Sequence, residues 1–267
     1  MKSSRAIAAL AGASFIAIVA ILASGFGRFA SATDEPRLDI NSETWTSSAG
    51  VCTARIARAS VSGVPADVKA RIDGLLASAL TSRLPSSQST PAEREAQCAK
   101  ALSENAPYQK VHPYQQTEAD DWTTGFSHGR WLSARLHVTQ YSGGAHPSDN
   151  YVSMTFDLAH AGYPVPKSGF YLDAQRARFN QALFKYYVAN VTSFDPQHPP
   201  DASDLKYMSE TTRALDLDET HILLTSAGIE INGIENAEAA RNEIVKVPFS
   251  ALNGIGTPGG PLDPATR

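Results

Sequence analysis

Cysteine is nearly absent: 267 residues hold two, Cys52 and Cys98. They lie far apart, and no neighbouring His or Cys completes a metal or redox spacing, which excludes zinc-knuckle and C-x-x-C chemistry. Basic runs are absent as well, and the formal net charge is −4, so nucleic acid is not expected as the main partner. Catalytic signatures are equally scarce. The chain has no G-x-S-x-G elbow, no H-E-x-x-H pair and no phosphate-binding glycine loop in a strand-loop-helix frame. His128, His137, His146 and His160 are scattered without the paired spacing a zinc site needs. A triad can be assembled on paper from Ser142 or Ser148, His146 and Asp157, but adjacency in sequence is no guide to triad geometry. No internal repeat is visible. The expectation is a protein without metal, cofactor or catalytic set.

What is present suffices for one domain with tails, since 42% of the residues are apolar. Lys2 and Arg5 precede an uncharged apolar run, Ala6 to Ala23, and Ala30-Ser31-Ala32 then offers a small-x-small cleavage site. That order predicts export, with residues 1–32 as a signal peptide. The run also reaches the lower limit for a membrane span, so an uncleaved signal anchor is the alternative. Either way the bulk of the chain is expected outside the cytoplasm, periplasmic or secreted, touching a membrane only through that anchor. In such a compartment Cys52 and Cys98 should form a disulfide, stapling a strand to a short helix.

Periodicity supplies the elements. Residues 33–50 read as a leader or edge segment, and Val51 to Val61 as a first strand. Val68, Ile72, Leu75, Leu76, Ala79 and Leu84 mark one face of a helix opened by Pro65. Thr90-Pro91-Ala92-Glu93 is a capping box that starts a short helix through Cys98. His112 to Asp121 reads as a polar connection, followed by a strand from Trp122 to Ser127. A second long helix runs from Asp173 to about Asn190 on Phe179, Ala182, Leu183, Tyr186 and Tyr187. Ile222, Leu224, Ile229 and Ile231 predict a hairpin, and Val245, Val247 and Phe249 a last strand. The reading is α+β, an antiparallel sheet with two main helices packed on one face, over residues 51–252. Residues 253–267 are rich in glycine and proline and are expected to be disordered.

The chain is organised around a hairpin. In Trp131 to Tyr141, Leu132, Ala134, Leu136 and Val138 alternate with Trp131, Ser133, Arg135, His137, Thr139 and Tyr141. Tyr151 to Leu158 repeats the pattern, with Tyr151, Ser153, Thr155 and Asp157 on the polar side. Period-two alternation of this length predicts paired strands with one buried face, joined by Ser142-Gly143-Gly144-Ala145-His146-Pro147. Arg135, His137, Tyr141 and Tyr151 on the polar face suit a binding surface, or else an ordinary solvated sheet face. Gly143 and Gly144 could let a ligand approach the backbone beside His146, or they could simply set a turn that His146 holds.

G-G-A-H-P after an aromatic-ended strand, then an alternating strand closing in F-D-L, resembles a domain-of-unknown-function family. That family occurs in the extracellular part of RsiV-type anti-sigma factors, which sense lysozyme, and beside the catalytic domain of PdaC-type peptidoglycan deacetylases. It is also similar to a secreted mycobacterial antigen family. Leu223 to Ile231 and Val245 to Leu252 resemble its closing strands. The usual acidic, leucine-rich patch is replaced here by Lys167 to Phe170. The resemblance implies an exported, non-catalytic binding module of the cell envelope, with a lysozyme-like protein or peptidoglycan as partner. A complete RsiV-like regulator is not expected, because few residues precede the apolar run. The rival is an envelope hydrolase or deacetylase-type enzyme acting on cell-wall glycan, which would need clustered carboxylates or a metal in a cleft.

Overall fold

The computed structural model describes residues 35–83, 85–104, 106, 116–141, 147–194, 196–214, 217, 221–236 and 241–267. The expected signal segment, residues 1–32, lies outside them. Strand β1 (Arg37–Thr46) pairs antiparallel with β2 (Cys52–Ser62) from Arg37↔Ser62 to Thr46↔Thr53, so the expected leader is the edge strand of a sheet. Helix α1 (Ala66–Arg83) buries Val68, Ile72, Leu76 and Leu80, one stripe at helical spacing. Helix α2 (Pro91–Glu104) opens on the expected capping box: Thr90 N–H donates to Glu93 Oε2 at 2.7 Å, and Glu93 N–H to Thr90 Oγ1 at 3.3 Å.

β3 (Gln116–His128) begins within the stretch expected to be a polar connection. It pairs with β4 (Trp131–Tyr141), which pairs in turn with β5 (Ser148–Asp157) from Trp131↔Asp157 to Gln140↔Ser148. The two-residue β6 (Tyr163–Pro164) completes a six-stranded sheet of order β1-β2-β3-β4-β5-β6. The α+β class is as expected, but the sheet is mixed, because β2 and β3 run parallel over Cys52↔Gln116 to Arg55↔Ala119. The cause is connectivity. The chain leaves β2, traverses α1 and α2, and returns in a crossover rather than a hairpin.

A short helix α3 (Lys167–Phe170), then α4 (Arg176–Phe194) and α5 (Ala202–Ala214), lead to a second sheet of three antiparallel strands. These are β7 (Ile222–Leu224), β8 (Gly228–Asn236) and β9 (Arg241–Pro248), with Pro248 at the strand end, where a missing N–H costs least. The result is layered. Helix α1 lies on the apolar face of the six-stranded sheet, over Leu132, Leu136, Val152 and Phe156. β7 lies against β4 and β5, and α4 packs on β9 through a core that includes Phe179, Leu183 and Tyr187. The two long helices therefore cover different sheets. Gly125 sits at the irregularity in β3 and makes this stacking possible, since a Cβ there would overlap the Leu224 carbonyl oxygen.

The glycine- and proline-rich end is packed rather than disordered. Ile255 and Leu262 are buried in the second core, and the buried Trp131 indole donates to the Thr266 carbonyl at 2.9 Å. Arg267 stacks its guanidinium 3.5 Å from the Phe249 ring centroid. A composition that reads as tail is held here because its two large aliphatic side chains, Ile255 and Leu262, find the core.

Candidate functional site

The polar face of β4 and β5 has two fates along its length. At the Trp131 end the second sheet covers it: Ser133 and Ser153 are 0% exposed, Thr155 2% and Arg135 8%. Each buried group has a partner there, as buried polar groups must. Ser133 Oγ accepts the Leu224 N–H at 3.1 Å, Ser153 Oγ donates to Asn232 Oδ1 at 2.8 Å, and Arg135 Nη1 pairs with Glu230 Oε2 at 2.9 Å. Arg135 is thus a joint between sheets rather than a surface contact. Beyond it His137, Thr139, Tyr141, Asp149 and Tyr151 are half-buried.

These half-buried residues form an ordered cluster. His137 Nε2 lies 2.8 Å from Asp149 Oδ1, and Thr139 Oγ1 donates to the same oxygen at 2.9 Å. The His137 and Tyr151 rings stack with centroids 4.3 Å apart and planes 8° from parallel. Arg135 sits 5.8 Å over the far side of the same patch, above the Tyr151 ring. Burial pushes the Tyr151 phenol above its ordinary value; the Asp149 charge adds to this and Arg135 opposes it. The phenol therefore stays protonated at neutral pH and presents a donor. Asp149 and Thr139 both meet His137 at Nε2. An Asp-His-hydroxyl relay needs the two partners on opposite ring nitrogens, so this arrangement orients an imidazole but does not prime Thr139 as a nucleophile.

Gly143, Gly144 and His146, the loop expected to border a ligand, lie outside the described residues, as does Ser142. The remaining triad candidates are far apart: Ser148 pairs with Gln140 at one end of β5, and Asp157 with Trp131 at the other. Asp157 is committed to a bidentate pair with Arg130, at 2.8 and 2.6 Å, and to His160 Nδ1 at 2.6 Å. Burial raises its pKa, but the hydrogen bonds from Arg130 and His160 outweigh burial and hold the carboxyl below its usual range. Of the four histidines weighed for zinc, His146 lies outside the described residues and the others face separate carboxylates: His128 meets Glu35, His137 meets Asp149 and His160 meets Asp157. Among the described residues no three metal-ligating side chains gather.

Cys52 and Cys98 are joined, with Cα atoms 6.1 Å apart. The bond ties β2 to α2 and forms part of the wall of a cleft of about 300 Å³ at the end of the first sheet. This cleft was not legible in the sequence. Its walls come from β1, β2, α2, β3 and β4, and no local spacing signals that they meet. The available hint was a set of glutamines: Gln116 and Gln140 at strand ends and Gln97 in mid-helix.

No family model matches the sequence, and no curated protein matches it significantly. Solved structures do resemble the fold. A member of the DUF3298 family from Bacteroides fragilis superposes with a TM-score of 0.59 at 14% identity, covering 83% of this chain and 94% of that one. A DUF3298 family protein from Pseudomonas aeruginosa PAO1 gives 0.53 at 14% identity, over 87% and 99%. At that identity the likeness is one of fold.

Proposed function

We propose that the chain is an exported, non-catalytic binding module of the cell envelope, and that the half-buried stretch of the β4–β5 face is its contact surface. One observation carries the reading. His137, Thr139, Tyr141, Asp149 and Tyr151 are only half-buried, and they hold two stacked rings and a fixed carboxylate in one ordered patch. Half-exposed aromatic groups whose rotamers are already held lose little entropy on contact. The disulfide supports an oxidising compartment, and among the described residues no helix is long and apolar enough to cross a membrane. The resemblance to RsiV-type ectodomains makes a lysozyme-like protein the first partner to test, with peptidoglycan second. The His137–Asp149–Thr139 geometry favours this reading over an envelope hydrolase.

The test is a pull-down by the full-length protein of a c-type lysozyme and of peptidoglycan fragments, alongside His137→Ala and Tyr141→Ala. Binding by wild type that drops at least about tenfold in both variants, with the melt preserved, is the expected result. Equal binding by all three proteins would remove this surface from consideration, and turnover of a glycan by wild type would replace the non-catalytic reading. Mass measurement of protein taken from a native envelope should find a chain beginning near Thr33. A mass retaining residues 1–32 would instead establish a signal anchor.

A further inference from the structure

The cleft beside the disulfide is separate from the β4–β5 surface, touching it only at Tyr141, and its lining is chemically selective. Trp45 and Tyr141 bring aromatic area, while Gln97, Gln116 and Gln140 bring three carboxamides. Among the described lining residues the one guanidinium, Arg94, is 8% exposed and already paired with Glu43 at 3.2 Å. Glu118 adds a carboxylate to the same walls. Among the described residues no uncompensated positive charge therefore faces the cleft, which disfavours phosphate or another anion. A purely apolar guest would leave the carboxamides without partners.

A carboxamide both donates and accepts, which matches a ligand whose hydroxyl or acetamido groups alternate the same two roles. Aromatic rings match the C–H faces of such a ligand. A volume of about 300 Å³ lies at the small end of ligand sites and suits one or two rings. We propose that this cleft is a saccharide subsite for an uncharged, hydroxyl- or acetamido-bearing sugar. The disulfide makes it rigid: Gln97 adjoins Cys98 on α2, and Gln116 lies opposite Cys52 on β3, so one covalent bond fixes both walls. Gln97 holds only a long contact to Ser89, at 3.3 Å, that a sugar hydroxyl could replace.

The proposal shares Tyr141 with the β4–β5 surface, so its test rests on Trp45, Gln97 and Gln116, which that surface lacks. Trp122 and Trp131 are 6% and 1% exposed while Trp45 is half-exposed, so Trp45 reports the cleft. The oxidised full-length protein is titrated with diacetylchitobiose, cellobiose, inorganic phosphate and trialanine, following tryptophan emission and chemical shifts. A sugar-dependent emission change, lost in Trp45→Phe, is expected. The Gln97→Ala, Gln116→Ala double variant should bind at least about tenfold more weakly with an unchanged melting temperature. Silence with both sugars would overturn the proposal. So would preference for phosphate or trialanine, or full affinity in the double variant.

Discussion

The Asp120 carboxylate accepts the Ala57 N–H at 2.7 Å, two residues past the point where β2 and β3 stop pairing. Trp122 Nε1 donates to the Ala57 carbonyl at 3.0 Å, so two side chains replace the missing rungs of the ladder. Asp120 is 0% exposed, and among the described residues its other oxygen has no partner. Burial drives its pKa from 3.8 to about 6, against the lowering effect of the Ala57 N–H.

A pH dependence follows from that carboxyl. Between about pH 4 and pH 6 the folded state keeps a proton that the unfolded state has released, so stability falls as pH rises through this window. A shift from 3.8 to about 6 corresponds to about 3 kcal/mol in full. Asp120→Asn keeps an acceptor for Ala57 and cannot ionise. Urea unfolding at pH 4 and pH 7 should show a smaller loss with rising pH in the variant than in wild type.

The pair between the sheets should respond asymmetrically to substitution. Glu230 has a second cation, Lys246 Nζ at 3.5 Å, whereas its removal deprives the buried Arg135 of its carboxylate. Glu230→Gln should therefore destabilise by about 3 kcal/mol and Arg135→Met by less. Chemical denaturation of both single variants checks the order.

The disulfide closes 46 residues of sequence, which in the chain-entropy model stabilises the fold by about 4 kcal/mol. Denatured, unreduced protein should label no thiol, and reduction should lower the urea midpoint accordingly. Labelling of both cysteines without reductant would refute the bond in the exported protein.

Removing residues 264–267 should behave as a core mutation. It takes away the Thr266 carbonyl that receives the Trp131 indole and the Arg267 group lying on Phe249. An orphaned buried donor costs about 1–3 kcal/mol. A red-shifted tryptophan emission with a lower melting temperature is the expected outcome, and an unchanged spectrum would contradict it.

Much of this was legible residue by residue. Strict alternation located β4 and β5, the Thr90–Glu93 box located α2, and compartment chemistry joined Cys52 to Cys98. The second sheet's position was not legible, because Ser133, Arg135 and Ser153 read as solvated when they in fact meet the Leu224 amide, Glu230 and Asn232. Periodicity registers apolar burial and is blind to a polar group whose partner lies some 80 to 90 residues away. The same blindness hid the cleft and the packed end of the chain. On the candidate surface, His137 and Tyr151 do touch, whereas Arg135 belongs to the joint.

The joint between the sheets is toothed rather than smooth. An oily seam of equal area would tolerate a small slide, since one methyl replaces another at little cost. Here a slide of one residue would part Ser153 from Asn232 and Arg135 from Glu230 and leave buried polar groups without partners. Only one alignment closes all the bonds, so the fold carries its own vernier. Whatever meets the open end of β4 and β5 meets a surface held at a fixed offset from the far sheet.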